Sequence, residues 1–212
     1  AKFARDNLKA PTAAVLYDVA SEYNKGIAEF FKKFFEAAGG KVVAFESYTK
    51  GDKDFSSQLT IIKAANPGAL FLPNYYDEVP LQVKQARQLG ITCPIIGSDS
   101  WGSAELLPLG GAALEGCYFS THYAPDIATP TAQKFIKDYE AKYGKKPDDV
   151  AALTYDAGSL LCAAITQAGA QDRKKVRDAL ASVKECQGVT GQRRFQGTGD
   201  PIKSAVILQS KD

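Results

Sequence analysis

Five turns of this chain carry side chains able to do chemistry. They close the apolar segments VLYDVASEY, FESYTKGD, LFLPNYYDE, IIGSDSW and YFSTHY, and they supply Tyr23, Tyr75, Tyr76, Asp99, Ser100 and Trp101. In an open parallel α/β sheet the carboxyl ends of the strands lie along one edge, and the turns there share the crevice in which such sheets bind small ligands. Aromatic faces around one carboxylate suit a cationic group, through cation–π attraction and a charge-assisted hydrogen bond. The sequence shows no GxGxxG after its first strand, no GxxxxGK[ST] phosphate loop, and neither HExxH nor GxSxG. The crevice also lacks an evident acid/base pair. The set therefore reads as a binding site with no catalytic residues, and an enzyme on a flavodoxin-like sheet is the weaker alternative.

The elements that must position these turns are legible from periodicity. AAVLY (13–17), KVVAFESY (41–48), ALFLP (69–73), PIIGS (94–98) and GCYFSTHY (116–123) read as strands, with helices between them. Strands this apolar, separated by helices, imply a parallel sheet covered on both faces. In YNKGIAEFFKKFFEAAGG, residues Ile27, Phe30, Phe31, Phe34 and Phe35 recur at helical spacing as one buried stripe, stopped by Gly39-Gly40. Asp54 is placed to cap the next helix, which carries Leu59 and Ile62 and ends at Asn66-Pro67-Gly68. Further helices are expected from about 77 to 89 and near 103–109. After His122 the rhythm changes. Three helical stretches follow without a strand between them: 130–144, 149–168 and 173–183. Two strand-like runs, VTGQRRFQ and SAVILQS, then flank a GTGDP turn.

With 212 residues the chain can bury a sizeable core. A net charge of +2 gives no field that argues for nucleic acid or an anionic membrane, and no apolar run approaches the roughly 20 residues needed to span a bilayer. Cys93, Cys117, Cys162 and Cys186 have no metal-ligand spacing, so neither a metal nor another cofactor is expected, and free thiols are the simpler reading; Cys93–Cys117 would be the first pair to test for a bridge. AKFARDNLKA reads as the middle of an amphipathic helix with no cap ahead of it, and the helices beyond 123 have broad apolar faces with no sheet to cover them. Both features lead to the expectation that the chain is a fragment.

The residues resemble the substrate-binding proteins of branched-chain amino-acid ABC transporters, a family with the type I periplasmic-binding fold. The resemblance runs in order through VLYDVASEYNKGIAEFF, SYTKGDKDFSSQLTIIKAANPGALFLPNYYDE, VKQARQLGITCPIIGSDSW, LEGCYFSTHY, TAQKFIKDYEAKYGKKPDDVAALTYDAGSLL and GVTGQRRFQGTGDPIKSAVIL. It implies an α/β fold: a parallel-sheet, Rossmann-like lobe over 1–122, a helical return over 123–190 belonging to the other, mostly missing lobe, and a crossover turn and return strand over 191–212. It also implies that Tyr23 packs on the ligand, that Tyr75 forms a second wall with Tyr76 beside it, and that Asp99 holds an α-ammonium where some members have Glu. Trp101 either walls the cleft or packs beneath the sheet. Val150 stands where relatives often carry an aromatic residue, which puts one contact from the other lobe in doubt.

By the resemblance the protein is an extracytoplasmic receptor, periplasmic or lipid-anchored, that captures a small amino acid and delivers it to an ABC transporter permease. A ligand-sensing module of a receptor or regulator with the same fold is the alternative, and nothing in these residues separates the two. A fragment with bare helix faces would also be expected to dimerise or exchange elements. Without the resemblance, Asp99 after a strand reads first as a helix cap. His122 reads as a hydrogen-bonded residue where the chain leaves the lobe, and Tyr155 and Asp156 as packing and helix-dipole residues.

Overall fold

The computed structural model describes residues 1–124, 129–169, 172–197 and 199–211. They divide into two compact units, 1–120 with 207–212, and 121–206. In the first unit, α1 (Lys2–Asp6) precedes β1 (Thr12–Asp18), α2 (Glu22–Ala37), β2 (Lys41–Tyr48), α3 (Ser56–Ala64), β3 (Leu70–Leu72), α4 (Val79–Gln88), β4 (Ile95–Gly97), α5 (Leu106–Gly110) and β5 (Tyr118–Thr121). The sheet order is β2-β1-β3-β4-β5, and a last strand, Val206–Gln209, adds at the β5 edge. The first five strands pair in parallel.

Strand alternation explains why both faces are apolar. Ala13 and Val15 of β1, Phe71 of β3 and Ile96 of β4 join Phe31 and Phe35 of α2 in one cluster. Ala14, Leu16, Leu70, Leu72 and Ile95 point the other way, into a larger cluster with Leu59 and Ile62 of α3 and Val79 and Val83 of α4. Successive strand residues face opposite sides, so an unbroken apolar run is what a doubly covered strand requires.

The five-residue stripe expected on α2 is split. Phe31 and Phe35 are buried, and Phe31 stacks on Phe71 at 4.2 Å. Phe30 and Phe34 are 59% and 56% exposed and stack on each other on the outside of the helix. A helix lying on a flat sheet buries a limited arc, and residues one position apart differ by about 100°. At α3 the cap position falls on Phe55, which makes no side-chain cap bond, and not on Asp54. Asp54 instead accepts from Ser56 N at 2.9 Å just ahead of the helix, and its carboxyl is held below the ordinary range by the Ser56 hydroxyl and amide.

The second unit holds the three helices α6 (Pro130–Tyr143), α7 (Asp149–Ala168) and α8 (Arg173–Ser182), each started by a side-chain cap: Thr129, Asp148 and Asp172. It then adds a small antiparallel sheet of β6 (Glu185–Gly188), β7 (Gly191–Phe195) and β8 (Pro201–Ile202); the strand already noted at the β5 edge is β9 (Val206–Gln209). β6 escapes the sequence reading because ECQG shows no apolar alternation. β7 pairs with β6 and β8, and the chain rejoins the first compact unit from 207. Of the expected GTGDP turn, Thr198 lies outside the described residues. Asp156 is neither free nor a dipole partner. It is buried, accepts from Val189 N at 2.7 Å and Thr190 N at 3.0 Å, and so fixes the β6–β7 turn to α7. Tyr155 is exposed, and its ring packs against Phe135 at 4.7 Å, tilted by 42°.

All four cysteines are free. The register Ile96↔Tyr118 sets Cys117 level with Ile95, which leaves Cys93 two residues out of step with it on the neighbouring strand.

Two glycines of the first unit should respond in opposite directions. A Cβ on Gly97 would lie 2.2 Å from the Trp101 ring, whereas one on Gly26, inside α2, meets nothing within 4 Å. Gly97→Ala is expected to lower stability by about 1–3 kcal/mol through overpacking, and Gly26→Ala to raise it by about 0.5–1 kcal/mol. Urea unfolding of both variants checks the pair.

Candidate functional site

The order β2-β1-β3 makes β1 and β3 the strands between which the chain reverses its direction of travel across the sheet. The crevice outside their carboxyl ends is where this topology places a ligand. Two of the expected tyrosines stand there. Ser21 Oγ caps α2 by accepting from Asn24 N at 3.3 Å, which sets Tyr23 in the first helical turn after β1. Tyr75 follows β3. Their rings stack with centroids 5.6 Å apart and planes 29° from parallel. From the turn after β2, Lys50 Nζ approaches to 5.5 Å from the Tyr75 ring centroid, a cation–π distance.

Asp99 opens a single 3-10 turn, Asp99–Trp101, directly after β4. Its side chain makes no capping bond to that turn. Instead Asp99 Oδ1 accepts from the Tyr23 hydroxyl. The sequence thus placed Tyr23, Tyr75 and Asp99 correctly at one sheet edge, and the structure brings all three together.

Trp101 has the other of its two expected environments. It is 0% exposed, its indole Nε1 donates to Leu72 O at 3.1 Å, and it belongs to the core cluster beneath the sheet. It cannot wall a ligand. Tyr76 is half-buried against the same cluster, and its N–H donates to Ser100 O at 3.2 Å. His122 lies in the second unit, with Nδ1 3.4 Å from Ser204 O.

Sequence reasoning passed over the groups that hold these residues in place. Asn74 is fully buried. Its Nδ2 donates to Leu16 O at 3.0 Å and Gln82 Oε1 at 2.7 Å, and its Oδ1 accepts from Asp18 N at 3.2 Å and Asn24 Nδ2 at 3.4 Å. Its backbone carbonyl accepts from Ser100 Oγ at 2.7 Å. Ser98 Oγ lies 2.8 Å from Ser100 Oγ and 3.3 Å from the Tyr23 hydroxyl. A serine hydroxyl has one proton. That of Ser100 goes to Asn74 O, so Ser98 donates to Ser100. The Tyr23 hydroxyl donates to Asp99 Oδ1, a carboxylate oxygen that can only accept, with Ser98 Oγ as its longer second acceptor. The signal for Asn74 was a polar residue directly after an all-apolar strand.

Burial first, and then the hydrogen bond to Asp99, push the Tyr23 phenol above the ordinary tyrosine range. Tyr48 is raised too, by burial and then by the charge of Glu78, to which it donates at 2.9 Å. On the α2 side a cavity of about 260 Å³ reaches Ser98 and Asp99, with Ile27, Phe30 and Phe34 among its apolar lining. Among the described residues, no cluster of three or more His, Cys, Asp or Glu is placed to share a metal.

A family model described as periplasmic binding protein matches residues 1–212. The leucine-, isoleucine-, valine-, threonine- and alanine-binding protein of Pseudomonas aeruginosa is 32% identical over 200 residues, which covers 94% of this chain and 52% of that protein. The crystal structure of the leucine-binding protein LivK from Thermotoga maritima has a TM-score of 0.95 at 40% identity, over 100% of this chain and 60% of that one. The branched-chain amino acid transporter substrate-binding protein LivJ from Streptococcus pneumoniae, in complex with isoleucine, has a TM-score of 0.88 at 33% identity, over 99% of this chain and 59% of that one. This chain spans about half the length of the curated relatives it matches.

The raised phenols fix a pH dependence. A group whose pKa is higher in the folded state contributes stability that is complete below its unfolded value, about 10 for tyrosine, and is lost as pH climbs through the folded value. Stability attributable to Tyr23 and Tyr48 should therefore hold to about pH 10 and fall above it. Urea midpoints measured across that range check this, and Tyr23→Phe should flatten part of the alkaline decline.

Proposed function

The chain belongs to the periplasmic binding protein family, and on that premise we propose that it is the ligand-binding part of an extracytoplasmic receptor for a branched-chain or similar small amino acid. The reading is carried by one observation: a carboxylate at the end of β4 stands beside two stacked tyrosines at the β1/β3 reversal. The relatives named for leucine, isoleucine and valine, and the neighbour holding isoleucine, support the same ligand class.

Each part of such a ligand finds a counterpart. An α-ammonium leaving water needs an opposite charge, because an unpaired buried charge is strongly unfavourable. Asp99 supplies that charge through a charge-assisted hydrogen bond. The Tyr23 and Tyr75 rings supply apolar area for the aliphatic side chain and a π surface near the ammonium. Lys50 already occupies space over Tyr75, so it sets how far a side chain extends in that direction. No group here is asked to break or form a covalent bond, and the proposed role is capture and hand-over to a membrane permease of the ABC type.

Calorimetry on the protein carrying this chain at its natural length should show binding of leucine, isoleucine and valine. Asp99→Ala should weaken it by about 3 kcal/mol, roughly a hundredfold, as expected for losing one partner of a desolvated charge pair. Unchanged affinity in that variant would remove the ammonium assignment.

A further inference from the structure

The Tyr23 hydroxyl has a more specific use than that of a polar tip on an aromatic wall. Its proton goes to Asp99 Oδ1, the charged and nearer acceptor, while Ser98 Oγ at 3.3 Å is a longer second acceptor whose own proton is committed along the line Ser98→Ser100→Asn74 O. Asp99 is partly exposed, and among the described residues its Oδ2 has no hydrogen-bond partner. Asp99 also borders the cavity on the α2 side, so open space adjoins the residue. An unrestrained aspartate at a loop tip would sample several rotamers. This one has one oxygen fixed by a phenol whose ring is itself held against Tyr75.

We propose that Tyr23 is a positioning residue for amine recognition: its hydroxyl fixes Asp99 through Oδ1 so that Oδ2 is presented to the protonated amine of the ligand. This rests on the amino-acid reading above and deepens it. A carboxylate has lone pairs enough for both donors at once, so the phenol stays in place when the amine arrives. Ser98 and Ser100 commit their own protons toward Asn74 O, so the phenol is the hydroxyl that donates to Asp99 Oδ1. The ring remains a wall whatever the hydroxyl does, and this separates the two contributions of one side chain.

The test has a ligand-free arm and a ligand arm. Without ligand, near-ultraviolet titration of the tyrosines should show late-ionising phenols, one fewer in Tyr23→Phe, with that same one ionising at lower pH in Asp99→Ala while the Tyr48 phenol is unchanged. An Asp99→Ala curve identical to that of the unsubstituted protein overturns the contact. With L-leucine as probe, calorimetry on both single variants and the double variant forms a cycle. Tyr23→Phe should weaken leucine about tenfold when Asp99 is present, as for a lost hydrogen bond to a charged group, and by less than about twofold when residue 99 is alanine. Equal losses in both backgrounds overturn the inference and leave only the ring. An unsubstituted protein that binds no amino acid, beside a ligand-free arm that behaves as expected, overturns the amino-acid reading and the amine role built on it while the contact stands.

Discussion

One buried amide holds the site together. Asn74 follows β3, and its side chain bonds the end of β1 twice, α4 through Gln82 and α2 through Asn24. Its carbonyl takes Ser100 from the turn after β4. Three turns that are far apart in the chain are thereby fixed to one point beneath the crevice. The bonds that are made fix the geometry, and the network is not fully satisfied: among the described residues Asn24 Oδ1 and Gln82 Nε2 are buried without a hydrogen-bond partner, and such groups carry a desolvation penalty. The geometry of Tyr23, Tyr75 and Asp99 is downstream of that constraint. A slack Asn74 would leave each ring and the carboxylate to separate loop motions.

The electrostatic logic follows. At the crevice Asp99 has one oxygen already satisfied by a phenol and lies beside aromatic faces, whereas Asp18 at the end of β1 is buried and accepts from backbone amides. A site with a carboxylate beside aromatic faces favours a cationic group attached to an apolar body. It also needs no reactive group, in keeping with relatives named for what they bind. Lys50 Nζ, 5.5 Å from the Tyr75 ring centroid, adds a positive charge beside the aromatic pair.

Much of this was legible before any coordinates. Alternation of apolar strands and amphipathic helices marked the doubly covered parallel sheet, and the position of Tyr23, Tyr75 and Asp99 just past strand ends marked the crevice. What stayed hidden depended on direction. Helical spacing grouped Phe30 and Phe34 with Phe31 and Phe35, but only the flatness of the sheet decides which arc is buried. Trp101 follows Asp99 by two residues, yet the tight 3-10 turn sends its ring inward over Gly97 while the carboxylate faces out. Asn74 drew no notice in the sequence because two of its partners, Leu16 and Asn24, lie 58 and 50 residues away. β6 was invisible because a short edge hairpin held by Asp156 needs no apolar alternation.

The account turns on Asp99 receiving an amine. The most direct measurement compares L-leucine with 4-methylpentanoate, which has the same carbon skeleton and carboxylate but no amino group. A site built to bond a polar group rejects the analogue that lacks it, because its own buried group is left unpaired. The account predicts at least about a hundredfold weaker binding of 4-methylpentanoate, with the gap shrinking to below about tenfold in Asp99→Ala. Equal affinities of the two compounds for the unsubstituted protein would contradict it.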